Sequence, residues 1–367
     1  MPVEFVGGLF PRNQLNPFGA YGQAPDLNYL RDLARAHEHA GFDRVLIANG
    51  GADPIFLAAH VASQTEQLGF MIAHRPGLIA PTIAARSFAT LDHTTGGRVR
   101  LHAITGFAAE PEHGETLIDK NERYARADEY LEIVRRSWTS AEPFDFKGKY
   151  YEVQGKYYEV QGAFLPTKPL SKPHVPVSVG GSSDAAYHVA VKHSDLYALW
   201  AEPLADTAQR IAKLHAVAAE YGVAAPRVSL SVRLIIAETE DLAWAKAHRI
   251  VEQLKASRVG GSRGSDKGQS GGGQRQLAFA EQSERFDRAL FLGTSTAIGG
   301  GTDSTSLVGT PDTVVAALLD YYDLGVTTFL NRGYDPYHDA VEYGRDIIPA
   351  VREAVRRREE AAVRLRA

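Results

Sequence analysis

Short apolar runs alternate along the whole chain with longer segments of helical periodicity. The runs are bounded by Gly, Pro, Ser or charged residues, which is typical of buried parallel strands. They predict eight strands: Val3–Leu9, Arg44–Ile47, Leu68–Ala73, Val99–Ile104, Val175–Val179, Leu196–Trp200, Val228–Ala237 and Thr327–Leu330. Apolar residues at three- and four-residue spacing predict helices between and after them: Leu27–Ala40, Pro54–Thr65, Pro81–Thr94, Glu122–Thr139, Ser183–Lys192, Pro203–Tyr221 and Tyr337–Arg357.

Strands that each precede a helix predict an α/β protein with a (β/α)8 TIM barrel. A barrel with insertions accommodates all 367 residues in one domain, so we expect a single domain over residues 1–367. The alternative is a doubly wound parallel sheet.

Two insertions interrupt the pattern. The first, residues 143–170, contains a tandem repeat in which Gly148–Gln154 is followed by the identical Gly155–Gln161. Because seven is odd, a straight continuation would turn the second copy's side chains to the opposite face. The second copy is therefore expected to loop out, to form its own hairpin or to pair with another subunit.

The second insertion, residues 258–305, includes the Gly/Ser-rich stretch Gly260–Gln274, which has almost no apolar side chains. Such a composition buries no core, so the stretch is expected to be mobile. Its place before the eighth strand suits a lid over the barrel mouth, and a plain linker is the alternative.

Composition limits the classes of partner. The net charge is −4 without a basic run before the C-terminus, which argues against a nucleic-acid partner. There are no cysteines, which excludes disulfides and thiolate metal sites, and no metal site is predicted. No secretory signal and no run long enough to span a bilayer is seen, so a cytoplasmic protein without membrane contact is expected.

The fifth predicted strand ends in Gly180-Gly181-Ser182-Ser183, and a helical pattern then begins. Glycines let backbone N–H groups approach an anion, serine hydroxyls add donors, and a helix N-terminus adds partial positive charge. The loop is therefore a candidate phosphate site. An ordinary strand-to-helix turn with a Ser N-cap is the alternative.

In a TIM barrel the chemistry lies at the C-terminal ends of the strands. The residues predicted at those ends are Phe10, Asn49, His74, Arg75, His102, Thr105, Gly180–Ser183, Trp200, Arg233 and Asn331–Tyr334. Taken singly, each has an ordinary structural explanation as a core, capping or ion-pair residue. Collected on one rim, they suggest a polar pocket with a phosphate anchor.

In order along the chain, several segments resemble those of the bacterial luciferase-like flavin monooxygenases, especially the alkanesulfonate monooxygenase branch. These segments are Ala40–Ile47, Arg75–Gly77, Pro81–Arg86, Ala89–Asp92, Gly97–Arg98, Ile104–Gly106, Asn121–Tyr124, Gly180–Ser183, Leu307–Pro311 and Gly333–Tyr334. The resemblance covers nearly the whole chain and implies a luciferase-like barrel.

The resemblance also implies a cofactor and a reaction. Reduced FMN would come from a separate NAD(P)H-dependent flavin reductase and react with O2 to a C4a-peroxyflavin, which oxygenates a small organic substrate, with organosulfur compounds among the candidates. The chain has no G-x-G-x-x-G after a strand, which fits a separate reductase. A homodimer or homotetramer is expected. The alternatives are a deazaflavin (F420)-dependent dehydrogenase and a non-catalytic flavin-binding protein.

By the same resemblance, Tyr124 and the loop Gly180, Gly181, Ser182 and Ser183 would hold the flavin phosphate. His74, His102 and Thr105 would flank the flavin ring. His102 and His74 would act on the oxygen intermediate or on a proton, since imidazole titrates near neutral pH. Arg233 and Tyr334 would orient the substrate.

The chain also departs from the sulfonate-using relatives. Arg233 is kept, but Ile235 stands where they have a His, and Gly299–Gly301 occupy the region of a further Arg. Ala52 replaces a Cys, and His102 replaces an Asn. One arginine is thin support for a desolvated anion. Neutral or weakly polar substrates are therefore expected to be better than simple alkanesulfonates.

Overall fold

Parallel strands close into a barrel that is surrounded by helices, as the sequence predicted. The computed structural model describes residues 2–12, 24–48, 51–105, 113–115, 119–148, 161–259, 270–300 and 305–364. Its strands are β1 (Glu4–Leu9), β2 (Arg44–Ile47), β3 (Gly69–His74), β4 (Val99–Ala103), β5 (Val177–Gly180), β6 (Leu196–Trp200), β7 (Arg227–Ile236), β8 (Arg285–Phe286), β9 (Leu290–Phe291), β10 (Ser306–Gly309) and β11 (Val326–Arg332).

The helices lie mainly on the outer face of this barrel. They are α1 (Leu27–His39), α2 (Pro54–Ala62), α3 (Pro81–Thr94), α4 (Lys120–Thr139), α5 (Asp184–His193), α6 (Leu204–Glu220), α7 (Glu240–Val259), α8 (Gly271–Gln282), α9 (Gly293–Ala297), α10 (Pro311–Asp323), α11 (Pro336–Asp346) and α12 (Ile348–Arg364). Within the described residues, no helix is both long and apolar enough to cross a membrane.

Closure of the barrel depends on the last strand. β1 to β7 pair in order, and β11 pairs with both β1 and β7, so the ring of eight strands is complete within the part of the chain that the structure describes. The register is direct, for example Phe5 opposite Phe329. All strand pairs in this ring are parallel, which places the C-terminal ends of its strands on one rim, here called the barrel mouth.

Strand alternation separates two buried layers. One face of the strands packs against the helices in a large core that includes Phe70, Phe88 and Tyr130. The other face fills the barrel with a small cluster, Val6, Leu46, Met71, Leu196 and Leu330. Membership in the inner or outer layer therefore tells which side chains can reach the mouth.

At the opposite end of the barrel, Glu4 accepts hydrogen bonds from Arg44 (2.8 Å) and Arg100 (3.1 Å). Burial alone would raise the pKa of Glu4, but the two arginines lower it below its ordinary value. This network stabilises the charged form in the interior and closes the end of the barrel away from the mouth.

The segment before the last barrel strand differs most from the sequence-based expectation. β7 extends beyond its pairing with β6, and β10 pairs in parallel with this extension, with Ser306 opposite Arg233. β9 then pairs antiparallel with β10, and β8 pairs antiparallel with β9. These strands have only two to four residues, too few to show a period in the sequence. The predicted closing helix Tyr337–Arg357 is two helices, α11 and α12, that meet at Ile347.

Both insertions lie partly outside the described residues. Most of the tandem repeat does so, and on its flanks Phe144 and Ala163 pair antiparallel. Residues 260–269 also lie outside. The sequence predicted mobile chain through Gln274, but Gly271–Gln274 form the first turn of α8, whose N-cap Ser270 accepts a hydrogen bond from Gly273 N (2.9 Å). Contacts with the barrel, described below, supply the order that the composition lacks.

Candidate active site at the barrel mouth

The phosphate loop Gly180–Ser183 lies at the barrel mouth, between β5 and α5. Ser183 is the N-cap residue of α5, but its side chain makes no capping hydrogen bond. Its hydroxyl oxygen is buried and has no aligned hydrogen-bond partner among the described residues. The loop is therefore not an ordinary Ser-capped turn, and the buried Ser183 hydroxyl remains available as a donor to a ligand.

Tyr124 of α4 reaches this loop, as the resemblance implied. Its hydroxyl donates to Gly180 O (3.4 Å) and occupies the space that a Cβ on Gly181 would fill. Burial raises the pKa of Tyr124, and the neighbouring hydroxyls of Thr105 and Ser183 offset part of that rise. The structure thus gathers Tyr124, Thr105 and the loop at one point.

The loop carbonyl of Gly181 is turned into the protein. It accepts hydrogen bonds from Tyr197 Oη (2.7 Å) and Arg210 Nη2 (3.0 Å). These two contacts fix the peptide between Gly181 and Ser182. They leave the N–H groups at the start of α5 to face an anion.

His102 belongs to the inner face of the barrel, because it lies in register with Ser178, which is opposite Leu196 of the inner cluster. Its Nδ1 shares a 2.9 Å hydrogen bond with Ser178 Oγ, and that hydroxyl donates to Leu101 O (3.4 Å). This pattern places the proton on Nδ1 and leaves Nε2 as an acceptor beside Gly180.

Burial, with a smaller contribution from Arg100, lowers the pKa of His102 to about 4. The imidazole is therefore neutral near pH 7. The sequence-based argument that it titrates near neutrality does not hold in this buried position. A neutral hydrogen-bonding role fits better than a proton shuttle at that pH.

His74 ends β3 at the mouth, but its side chain faces the helices. It shares the outer face of β3 with Phe70 and Ile72, and its Nε2 hydrogen-bonds Tyr130 Oη (2.7 Å). Its ring also contacts Phe88 edge-on at 5.4 Å between centroids, and burial lowers its pKa to about 4. Strand alternation points this side chain at the helices, which does not favour the predicted catalytic and flavin-binding role, and that role stays a prediction.

Arg233 and Tyr334 come together, as predicted. The guanidinium lies 4.6 Å from the Tyr334 ring centroid, and Nη1 donates to Gly333 O (2.9 Å). Arg233 is only 3% exposed, and no carboxylate pairs with it among the described residues. Arg332 lies opposite Arg233 in register on β11, two residues after inner-facing Leu330, so both arginines belong to the inner face.

Tyr334 extends the polar surface beside Arg233. Its hydroxyl lies 3.3 Å from Ser306 Oγ, which in turn lies 3.0 Å from Thr294 Oγ1. On the other side, Ile235 and Tyr334 share an apolar cluster with Phe291. A guanidinium and hydroxyls therefore meet an apolar wall, which suits a substrate with one polar end.

A cavity of about 640 Å³ opens between α7 and α11, outside the barrel. Outward-facing Leu234 and polar helix residues such as Lys246 and His338 line it, and Tyr334 borders it. The candidate active site is assigned to the mouth rather than to this cavity, because the phosphate loop, His102 and Arg233 belong to the strand ends.

Sequence reasoning missed a group of charged residues next to the phosphate loop: Lys120, Glu202, Arg210 and Arg275. Glu202 lies two residues beyond the end of β6 at Trp200, and its position after a barrel strand was the one available signal. The others lie on helices, where single charged residues are ordinary. Asn49, which the sequence placed at a strand end, and Gly106 of the family-like segment Ile104–Gly106 lie outside the described residues.

A closed parallel barrel with this polar mouth defines a TIM-barrel protein of the luciferase-like type. The family described as luciferase-like monooxygenase matches residues 7–328, and the chain belongs to that family.

Solved structures of relatives have the same fold. Riboflavin lyase with modified FMN and riboflavin has a TM-score of 0.73 and 20% identity, over 96% of this chain and 92% of that one. The EDTA monooxygenase from Chelativorans sp. BNC1 has a TM-score of 0.73 and 20% identity, over 96% and 94%. An F420-dependent secondary alcohol dehydrogenase with an F420–acetone adduct has a TM-score of 0.68 and 19% identity, over 96% and 99%.

Proposed function

We propose that this chain is the oxygenating component of a two-component flavin monooxygenase. It would take reduced FMN from a separate NAD(P)H-dependent reductase and use O2 to oxygenate a small organic substrate. The observation that carries the proposal is the phosphate loop, where Ser183 starts α5 without capping it. Family membership supports an oxidoreductase, and the fold is shared with a protein crystallised with modified FMN.

The residues at the mouth fit a flavin phosphate. The Ser183 hydroxyl is buried without an aligned partner, the Tyr124 hydroxyl lies against Gly181, and the start of α5 supplies N–H donors. A phosphate there would satisfy groups that the described residues leave unsatisfied. The described residues include no group of three His, Asp or Glu side chains that could hold a metal ion.

Bound reduced flavin supplies the electrons that activate O2. The chain's own residues then have distinct tasks. His102 Nε2 presents a neutral acceptor beside Gly180, which would accept a hydrogen bond from a cofactor bound at the mouth. Arg233 and Tyr334 bind the polar end of the substrate, and the cluster that contains Ile235 excludes water from its apolar part.

Two measurements test the proposal. Anaerobic titration should show binding of reduced FMN. Oxygen uptake with isotopically labelled O2 should then place label in the product when sulfonates, sulfones, ketones or amines are screened. Binding and turnover of F420 without O2 would replace the monooxygenase with a deazaflavin-dependent dehydrogenase. Flavin binding without any turnover would indicate a non-catalytic flavin-binding protein.

A further inference from the structure

The amino end of α8 lies against the phosphate loop. A Cβ on Gly271 would stand 2.8 Å from Ser182 Oγ and 3.3 Å from Lys120 Nζ. Three elements therefore converge on one point: the start of α8, the loop after β5 and the start of α4. The outer side of the phosphate loop is covered by these residues.

Glycines make this close approach feasible. A Cβ on Gly272 would stand 2.8 Å from Trp200 Cε3, and one on Gly273 would collide with Gly300 O. Larger side chains at either position would push α8 away from the mouth. The glycines at the start of α8, part of a stretch that the sequence predicted to be mobile, thus pack closely against their neighbours.

An ion pair joins α8 to the barrel. Arg275 donates from Nε to Glu202 Oε1 (2.9 Å) and from Nη2 to Glu202 Oε2 (2.6 Å). The Glu202 side chain is 1% exposed, so this bidentate pair has a rigid, buried partner.

The same carboxylate also connects to the loop itself. Glu202 Oε1 accepts from Arg210 Nη1 (2.9 Å), and Arg210 Nη2 donates to Gly181 O (3.0 Å). A continuous chain of hydrogen bonds therefore runs from α8 to the phosphate loop.

Lys120 supplies the positive charge where α8, the phosphate loop and the start of α4 converge. It forms no ion pair with any described carboxylate. Burial, followed by the neighbouring Arg123, lowers its pKa from the ordinary value. A partly buried ammonium beside Ser182 with no counter-ion among the described residues is suited to an anionic ligand.

We propose that Lys120 and the amino end of α8 form the outer half of the flavin-phosphate site, and that the Arg275–Glu202 pair holds α8 in place over it. This inference rests on the proposed function and adds Lys120 as a phosphate ligand. It makes α8 the element that must move when flavin is exchanged, and Arg275 a positioning residue.

Substitution of Lys120 tests the charge. Lys120→Met should weaken reduced-FMN binding about tenfold or more, because a hydrogen bond to a charged group is lost. It should leave riboflavin binding unchanged, since riboflavin has no phosphate. Lys255→Met is the control, because Lys255 is exposed on α7 and paired with Glu252. Equal loss for FMN and riboflavin, or no loss for either, removes Lys120 from the phosphate site.

Substitution of Arg275 tests the closure. Arg275→Met should speed flavin dissociation severalfold and increase chymotrypsin cleavage at Phe279 in the flavin-bound protein, and Arg275→Lys should restore part of both. Arg288→Met, which breaks an exposed pair with Asp320, is the control. Unchanged dissociation and cleavage would show that the pair does not hold α8 over the site.

The wild-type titration separates this inference from the proposed function. If the wild type binds neither FMN nor riboflavin, the proposed function and the inference both fail. If it prefers FMN to riboflavin while the Lys120 and Arg275 variants behave like it, the inference alone is wrong.

Discussion

The hydroxyl of Tyr124 fills the space beside Gly181 that any Cβ at that position would need. Ala186 Cβ bounds the same space at 2.6 Å. The second glycine of the loop is therefore required by packing. Its neighbour Gly180 is different, because a Cβ there would meet His102 Cε1 at 3.4 Å, an ordinary contact.

This difference predicts unequal effects of two similar substitutions. Gly181→Ala should displace Tyr124 and weaken reduced-FMN binding about tenfold or more, since overpacking of this kind costs roughly 1–3 kcal/mol. Gly180→Ala should stay near wild type. Flavin titration and thermal unfolding of both variants check this. Equal affinities in the two variants would contradict the proposed packing of Tyr124 against the loop.

The two serines of the loop give a second prediction. Ser182→Ala with Ser183→Ala should weaken reduced-FMN binding roughly tenfold or more, at about 1 kcal/mol for each hydrogen bond lost. Loss of the Ser183 hydroxyl should not lower the unfolding midpoint, because this hydroxyl makes no aligned hydrogen bond to the described residues. Riboflavin is the control ligand. An unchanged FMN affinity would place the phosphate elsewhere.

The sequence predicted the barrel because each strand and helix is a local pattern, and Arg44–Ile47, Pro81–Thr94 and Leu196–Trp200 match the structure at both ends. It predicted the meeting of Tyr124 with the loop only through family resemblance. It could not place His74, since the face of a residue at a strand end depends on the register of the whole strand. It also could not place α8, whose order comes from tertiary contacts such as Arg275 with Glu202.

Buried histidines give a prediction for stability against pH. Burial lowers the pKa of His37, His74 and His102 to about 4, whereas the ordinary value is 6.5. Between these values the unfolded chain binds protons that the folded chain does not. The free energy of unfolding should therefore fall as pH drops from 6.5 to 4, by at most about 3 kcal/mol per histidine, with little further histidine effect below that.

Asp339 acts in the opposite direction over part of this range, because burial raises its pKa to about 6. Urea unfolding between pH 7.5 and 4.5 measures the net slope. His102→Asn should reduce that slope, and His215→Asn, at an exposed position on α6, is the control. An identical slope in wild type and His102→Asn would show that His102 is not held neutral by the fold.

The last prediction concerns the charge of the substrate and reverses the expectation from the sequence. That expectation treated Arg233 as a lone cation. In the structure Arg332 lies beside it in register, and no carboxylate pairs with Arg233 among the described residues. A buried guanidinium without a counter-ion favours an anionic group. Octanesulfonate should therefore have a higher kcat/KM than a matched alkyl sulfone.

Arg233→Met separates binding of this anion from a structural role. The variant should lose roughly tenfold to a hundredfold in kcat/KM for the sulfonate, the equivalent of about 1.5–3 kcal/mol for a hydrogen bond to a charged group. The sulfone should be affected much less. The unfolding midpoint of Arg233→Met should equal that of the wild type or rise, because removal of a buried charge that no described carboxylate pairs with relieves a desolvation cost. If the sulfone is the better substrate of the wild type, the two arginines serve the barrel and not the substrate.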